Sequence, residues 1–425
     1  MRKLWLIGLI GMMILIILSS CAKREPAVKK KEIVFTIWGS VAEANQMKGW
    51  LEKFEKKFPN IKVKLIHPGG SYNEKVLAMC AAGTPPDVMM VGTAGFGIIY
   101  ALAEKGLLMP LDNYIDEEYR KGIFKEAWKG VTWKGHIYAL PREANAEILF
   151  YNKDLFDKEG IPYPDESWTW ETLIEVAKKI TKEENGRIIQ YGLYSLPWFI
   201  TAFAYGCKFF DEEGKFVFKG KEDTGAKKAL ELYLKAYKEG ATPFPLAEET
   251  SFGGFWTSIL SGRIGMWITG PWGCQELIKR GVKFRWDMAL IPKGDRRVSP
   301  MTFVGYAITK KAKNKDACLK LIKFLTSPEI MQDFAYTGRA FPASILAFQQ
   351  SYLKHPGYNQ VVHKEIPFES LKYGEEFFRT PYLLEIKQVV KDVSDSVILG
   401  KLTIEEGLEE MKDRVIEILQ GRKGE

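Results

Sequence analysis

Between residues 33 and 92 the chain switches repeatedly between two hydrophobic periods. Ile33-Val34-Phe35-Thr36-Ile37-Trp38 is a β-rich apolar run closed by Gly39-Ser40. Over residues 43–58 the apolar positions Met47, Trp50, Leu51, Phe54 and Phe58 fall at helical spacing, and Pro59-Asn60 stops that helix. Ile61-Lys62-Val63-Lys64-Leu65 alternates as a strand, Tyr72 to Ala82 reads as a helix closed by Gly83-Thr84-Pro85-Pro86, and Asp87-Val88-Met89-Met90-Val91 is a short apolar strand ending at Gly92-Thr93. Strand, helix, strand, helix, strand in this order predicts an α/β layer with parallel strands. Further strands are predicted at 136–141, 147–152, 264–268, 287–292 and 306–309. Helices are predicted at 170–180, 224–239 and 315–326, and two or three amphipathic helices between Tyr382 and Leu419. Asp211-Glu212-Glu213-Gly214 reads as a hairpin-like turn.

The start of the chain follows a different pattern. Leu4 to Leu18 is an unbroken apolar run behind Arg2 and Lys3, and it ends in Leu18-Ser19-Ser20-Cys21. Fifteen residues are short of the ~20 a spanning helix needs, and a charged start, an apolar stretch and small residues before a cut mark a signal peptide over residues 1–20. The quartet resembles the lipobox of bacterial lipoproteins, which implies that Cys21 takes lipid. Residues 21–31 are then a lipidated tether, and the protein works outside the cytoplasmic membrane, anchored to it.

Removing the first 20 residues leaves 405, enough for two or more domains. Apolar residues make up 46% of the chain, enough for packed cores rather than disorder. The net charge of +8 is interspersed, as in Glu52-Lys53-Phe54-Glu55-Lys56-Lys57, which is a solvated helix face and not a nucleic-acid footprint. Cys80, Cys207, Cys274 and Cys318 include no close pair. They allow three disulfide pairings, and the apolar neighbours of Cys80 and Cys318 favour buried free thiols there.

Several fragments stand together in a recognisable order. They are the opening strand ending in Trp38, Gly83-Thr84-Pro85-Pro86-Asp87-Val88, Leu149-Phe150-Tyr151-Asn152-Lys153-Asp154-Leu155-Phe156, and Ser167-Trp168-Thr169-Trp170-Glu171. They continue with Gly262-Arg263-Ile264-Gly265-Met266 followed by Gly270-Pro271-Trp272, then Gly305-Tyr306-Ala307-Ile308 and Phe324-Leu325-Thr326-Ser327-Pro328-Glu329. Over about residues 33–419 the chain resembles the extracellular solute-binding proteins of ABC importers, within the carbohydrate-binding group that includes the maltose-binding proteins. The resemblance implies an α/β, two-lobed periplasmic-binding-protein fold of type II, with crossing segments as a hinge and the ligand in the cleft. Crossings are expected near 141–145, 292–299 and 338–343. Lobe one is expected at 32–142 and 298–340, and lobe two at 143–297 and 341–425. The implied partners are a small carbohydrate, the importer's permease subunits and the membrane through Cys21. No nucleic acid partner is expected, and the chain is expected to be a monomer.

No HExxH, GxSxG, P-loop or post-strand GxGxxG occurs, and the four histidines are scattered. Neither an enzyme, a metal nor a cofactor is expected. The positive signal is twelve Trp, several in loops after strands. In parallel-sheet folds ligands sit at the carboxyl ends of strands, and Trp38, Thr93 and Trp272 occupy such ends. An indole offers a large rigid apolar surface to the C–H face of a pyranose, while planar polar groups bridge its hydroxyls. Ser40 and Glu43 open the next helix, where Glu43 is either a ligand contact or a helix-start charge. The resemblance adds Asn145 near the hinge, Trp198 and Trp256 in the second lobe, and Trp272 as the aromatic that stacks on sugar. It also adds Gly305 and Tyr306 at a strand entry whose N–H groups face the cleft. A second Trp that some relatives carry stands here as Cys274. Arg379, with Arg142 and Arg339, could read a phosphate or uronate. The sequence therefore reads as a receptor for a mono- or oligosaccharide. The alternatives are the same role for a glycerophosphodiester, polyol or acidic sugar, and an exported carbohydrate-active enzyme.

Overall fold

A computed structural model describes residues 30–68, 71–93, 97–211, 213–243, 254–359 and 361–421. The signal peptide, Cys21 and nearly all of the tether lie outside the described residues, as does Glu212 of the expected turn, which is flanked by a bridge between Phe210 and Phe216.

Two sheets organise the chain. The first contains β1 (Lys31–Thr36), β2 (Ile61–Ile66) and β3 (Val88–Gly92), with β1 pairing parallel to both neighbours. The connecting helices α1 (Val41–Lys57) and α2 (Tyr72–Ala81) fall where the helical periods predicted them. The sheet is completed from far downstream. β4 (Ala139–Ala146) and β10 (Ser299–Ile308) are antiparallel to each other, and β10 is antiparallel to β3. The second sheet has the order β9-β5-β8-β7-β6, where β5 is Ile148–Asn152, β6 Lys182–Glu184, β7 Arg187–Leu193, β8 Ile264–Thr269 and β9 Trp286–Ala289.

The predicted strand at 136–141 is divided differently. Residues 136–137 form a short ribbon with 132–133, and β4 runs straight through Pro141. Proline has no N–H for a ladder, so it is confined to edges and bulges. Here β10 is the only strand of the sheet that β4 joins, its other edge meets residues 341–343 through an isolated bridge from Glu143 to Pro342, and Pro141 faces Gly305 where the register shifts. A Cβ on Gly305 would lie 2.6 Å from the Leu140 carbonyl oxygen, so that close approach requires glycine. The predicted 306–309 strand is the second half of the ten-residue β10.

Helix α3 (Trp170–Ile180) is capped by the Thr169 hydroxyl, which accepts from the Thr172 N–H at 3.2 Å, and Trp170 packs into the core beneath it. Helices α4 (Trp198–Ala204), α5 (Thr224–Lys238), α6 (Phe255–Leu260) and α7 (Trp272–Arg280) surround the second sheet. Next come α8 (Lys315–Leu325), α9 (Pro328–Ala335) and α10 (Ile345–Gln350), a short β11 (Gly374–Glu375) beside the start of β10, and the terminal α11 (Leu383–Ile398) and α12 (Ile404–Gly421).

The chain passes from the first sheet to the second between Ala146 and Ile148, and returns between Ala289 and Ser299. Residues 341–343 run beside β4, with Ala144 N–H donating to Phe341 and Ala343 N–H to Arg142. One apolar cluster holds the first sheet and reaches across to Phe150, Trp267 and Trp286 of the second. Phe341, Phe348, Tyr352, Tyr358, Ile366 and Leu371, in the 341–425 stretch expected with the second lobe, pack into this bridging cluster. The other cluster gathers α3, α4, α5, α11 and α12. Cys80, Cys207, Cys274 and Cys318 are all free thiols, and Cys80 is only partly buried.

Candidate functional site

Two cavities lie where elements of the two sheets meet. The first has a volume of about 410 Å³. One wall is the start of α1, with Ser40, Glu43 and Gln46, and the opposite wall is Trp256 on α6 with Trp272, Gln275 and Glu276 on α7. Thr337 and Arg339 close it.

Local chemistry places each group. Ser40 caps α1 by accepting the Glu43 N–H at 3.3 Å, and the Glu43 carboxylate accepts the Ser40 N–H at 2.6 Å, a reciprocal capping box. Glu43 also holds the Arg339 guanidinium, a contact that joins residues 296 positions apart. Trp272 is the first residue of α7, immediately after β8 and Gly270-Pro271. Its ring lies over Gly270 so closely that a Cβ there would be 2.1 Å from it. Both Trp256 and Trp272 remain partly exposed to the cavity.

The second cavity, about 460 Å³, is lined by Glu147 between β4 and β5, by residues 195–200 around the start of α4, by 300–302 of β10, by 376–378 and by α11. Trp198 is 9% exposed and packs edge-on against Phe199, with centroids 5.0 Å apart. Behind Trp256, Phe255 meets it edge-on at 4.9 Å and also meets Tyr194, which precedes the 195–200 wall of the second cavity, at 4.9 Å. Burial pushes the Glu147 carboxyl up to about 7, against the opposing pull of Lys387, whose own ammonium is lowered by desolvation. Burial also raises Glu376 to about 7, although the Tyr100 hydroxyl lies 2.6 Å from both its oxygens and Arg379 stands beside it. A larger depression of about 720 Å³ between residues 120–128 and 345–372 contains none of the expected site residues.

The structure thus brings Ser40, Glu43, Trp256 and Trp272 to one cavity and Trp198 to the other. It does not bring the remaining expected residues to either wall. Trp38 is 6% exposed and packs edge-on against Tyr72 at 5.1 Å. The Thr93 hydroxyl accepts the Phe303 N–H at 3.0 Å and ties β3 to β10. Asn145 accepts the Phe341 N–H at 2.9 Å and donates to Glu143 at 3.1 Å, so its amide is used within the crossing segments. Gly305 and Tyr306 are interior positions of β10, and the Tyr306 hydroxyl meets Arg142 at 3.4 Å. Arg142 lies between the rings of Phe334, 4.8 Å away, and Tyr306, 5.8 Å away, and contacts Glu143. Burial opposes ionisation of Glu143, but Arg142 and Arg339 hold its carboxyl below the ordinary range. Arg379 donates to the carbonyls of Lys129 and Thr132 and pairs with Glu376 at 3.3 Å.

Sequence reasoning missed Glu147, Gln275 and Lys387. Nothing local marks them, because each becomes a wall residue only when distant segments converge. Glu376 also stands on this wall, while its neighbour Glu375 is turned to Arg296. The alternation of Glu375 towards Arg296 and Glu376 towards Tyr100, just before Phe377-Phe378, is the signal that separates them.

A family model described as bacterial extracellular solute-binding protein matches residues 38–332. An uncharacterised ABC transporter extracellular-binding protein of Pyrococcus horikoshii is 26% identical over 408 residues, covering 91% of this chain and 88% of its own length. A maltotriose-binding protein of Pyrococcus abyssi is 25% identical over 347 residues, covering 75% and 71%. Among solved structures, an ABC substrate-binding protein of Listeria monocytogenes in complex with cycloalternan aligns with a TM-score of 0.80 at 24% identity, over 92% of this chain and 99% of that one. The likeness fixes the architecture as two α/β lobes around a cleft.

Proposed function

The chain belongs to the bacterial extracellular solute-binding protein family, and we propose that it is the receptor of an ABC importer for a neutral carbohydrate held in the cleft. The observation that carries this reading is the pairing of two partly exposed indoles, Trp256 and Trp272, with the planar polar groups of Gln46, Gln275 and Glu276 in one cavity. An indole stacks on the apolar face of a sugar ring, and amides and carboxylates bridge the hydroxyls on its edge. Once a ligand covers them, such polar groups also reject a molecule that lacks the matching hydroxyl. The relatives named for maltotriose and galactooligosaccharide support the same class.

The arginines favour a neutral ligand over a phosphate or uronate, while Lys279 and Lys387 line the two cavities with no carboxylate partner among the described residues. Each arginine that could read an anion already has a carboxylate: Arg142 has Glu143, Arg339 has Glu43 and Arg379 has Glu376. The receptor performs no covalent step. Its ligand contacts both lobes only when they close, so binding favours the closed arrangement by hinge motion, and the permease subunits read that state. Cys21 carries the lipid that keeps the monomer at the membrane.

The test is a thermal-shift screen of the chain from residue 26 onward against mono- and oligosaccharides, polyols and glycerophosphates. A ligand at ~100 times its Kd adds roughly 2.7 kcal/mol. A shift with one sugar series that Trp272→Ala abolishes supports the reading. A shift only with a phosphorylated or acidic solute overturns it.

A further inference from the structure

The second cavity contains two charged groups that the packing leaves open to a ligand. Among the described residues the Glu147 carboxylate has no hydrogen-bond or ion-pair partner; only its backbone is engaged, its carbonyl accepting from the Ser299 hydroxyl at 2.8 Å. Lys387, one turn into α11, lines the same cavity and forms no ion pair with Glu147. The two influence each other electrostatically but stay apart, with a gap between acceptor and donor. Around them the other charges are accounted for. Lys391 pairs with Asp395 at 2.7 Å on α11, and Glu376 is held by Tyr100 and Arg379. Tyr233 of α5 also lines the cavity. The apolar side of the space is Trp198 and Phe378.

We propose that Glu147 and Lys387 form an open acceptor–donor clamp that reads two neighbouring hydroxyls of a sugar ring lying against Trp198 and Phe378, which makes them specificity-determining residues of the solute site. This rests on the carbohydrate reading above. A carboxylate accepts two O–H donors from adjacent ring positions, and an ammonium donates to the ring-edge oxygens. The pair brings no net charge, in keeping with a neutral ligand. Its two ends cannot satisfy each other across the gap, so a ligand that lacks either hydroxyl leaves one of them unpaired.

The test is calorimetric titration of the chain from residue 26 onward, which holds every described residue, with maltotriose, mannotriose and galactotriose at pH 8.0 and 5.5. Wild type, Glu147→Gln, Lys387→Met and Trp272→Ala are compared. The sugar that binds wild type should bind more weakly at pH 5.5, where Glu147 takes up a proton. Glu147→Gln should weaken binding about tenfold or more at pH 8.0 and remove the pH dependence, while melting at the same or a higher temperature without ligand. Lys387→Met should weaken binding similarly, and Trp272→Ala should weaken it while keeping the pH dependence. Wild-type binding with Glu147→Gln within about twofold and the same pH profile overturns the clamp alone. Absence of binding by all three sugars to wild type overturns the carbohydrate reading and the clamp together.

Discussion

Glu147→Gln should change the stability of the ligand-free protein in a pH-dependent way. The carboxyl moves from its ordinary 4.5 to about 7 because the cavity wall desolvates it. A native value above the unfolded one means that folding takes up a proton between the two. Stability from this group is therefore complete below about pH 4.5 and is lost as the pH rises through about 7. At 1.36 kcal/mol per pH unit the displacement is worth about 3 kcal/mol as a ceiling. A chain of about 400 residues unfolds with an entropy of roughly 0.8 kcal/mol/K near 60 °C, so the ceiling corresponds to about 3–4 °C. Glutamine keeps the shape and cannot ionise. Scanning calorimetry without ligand should therefore find the variant within about 1 °C of wild type at pH 5 and about 3 °C above it at pH 8. An offset that is the same at both pH values would refute the argument, because a packing change has no reason to track ionisation.

Other perturbations test other parts of the molecule. Gly270→Ala places a Cβ 2.1 Å from the Trp272 ring. The ring must shift, and sugar affinity should fall about tenfold or more by titration calorimetry while circular dichroism stays unchanged. Glu143→Gln leaves the Arg142 guanidinium buried between Phe334 and Tyr306 with no counter-charge. It should cost about 3–5 kcal/mol, read as a fall of about 4–6 °C in Tm, and adding Arg142→Met should recover part of it. A maleimide dye should label only Cys80 in the native chain from residue 26 onward and all four thiols after unfolding, read by mass spectrometry, since Cys207, Cys274 and Cys318 are buried. The Cys80 reaction should go on accelerating beyond pH 9, because burial raises its thiol above the ordinary value.

The parts of the fold that were legible in the sequence are those with local causes. The β1-α1-β2-α2-β3 run follows from alternating periods and from Pro59-Asn60 and Gly83-Thr84-Pro85-Pro86 as stops. The sequence places Ser40 and Glu43 at the start of a helix, and the capping box they form there has an equally local cause. The course of β4 was not legible, because Pro141 is compatible with a strand only through Gly305, 164 positions away at a register shift. The site divides in the same way. Trp272 stands out by its place at a strand end and Trp256 by the family resemblance, whereas Glu147 and Lys387 come into view only through the meeting of a sheet-to-sheet crossing with the penultimate helix. Glu43 shows the two levels in one residue: the cap is local, and the Arg339 contact is not.

The makeup of the first sheet sets an order of events during synthesis. β3 is complete once Gly92 has been made, yet its antiparallel partner ends at Ile308, more than two hundred residues later. At about 5–20 residues per second a ribosome needs roughly 10–40 seconds to cover that distance. All strands of the second sheet lie between Ile148 and Ala289, so that sheet can close on itself first. Until β10 emerges, β3 presents a row of unpaired N–H and C=O groups, a template for pairing with another chain. The nascent polypeptide therefore carries an open strand edge in one of its early segments. A holding chaperone that binds residues 88–92 during this interval would prevent misassembly without slowing closure of the second sheet.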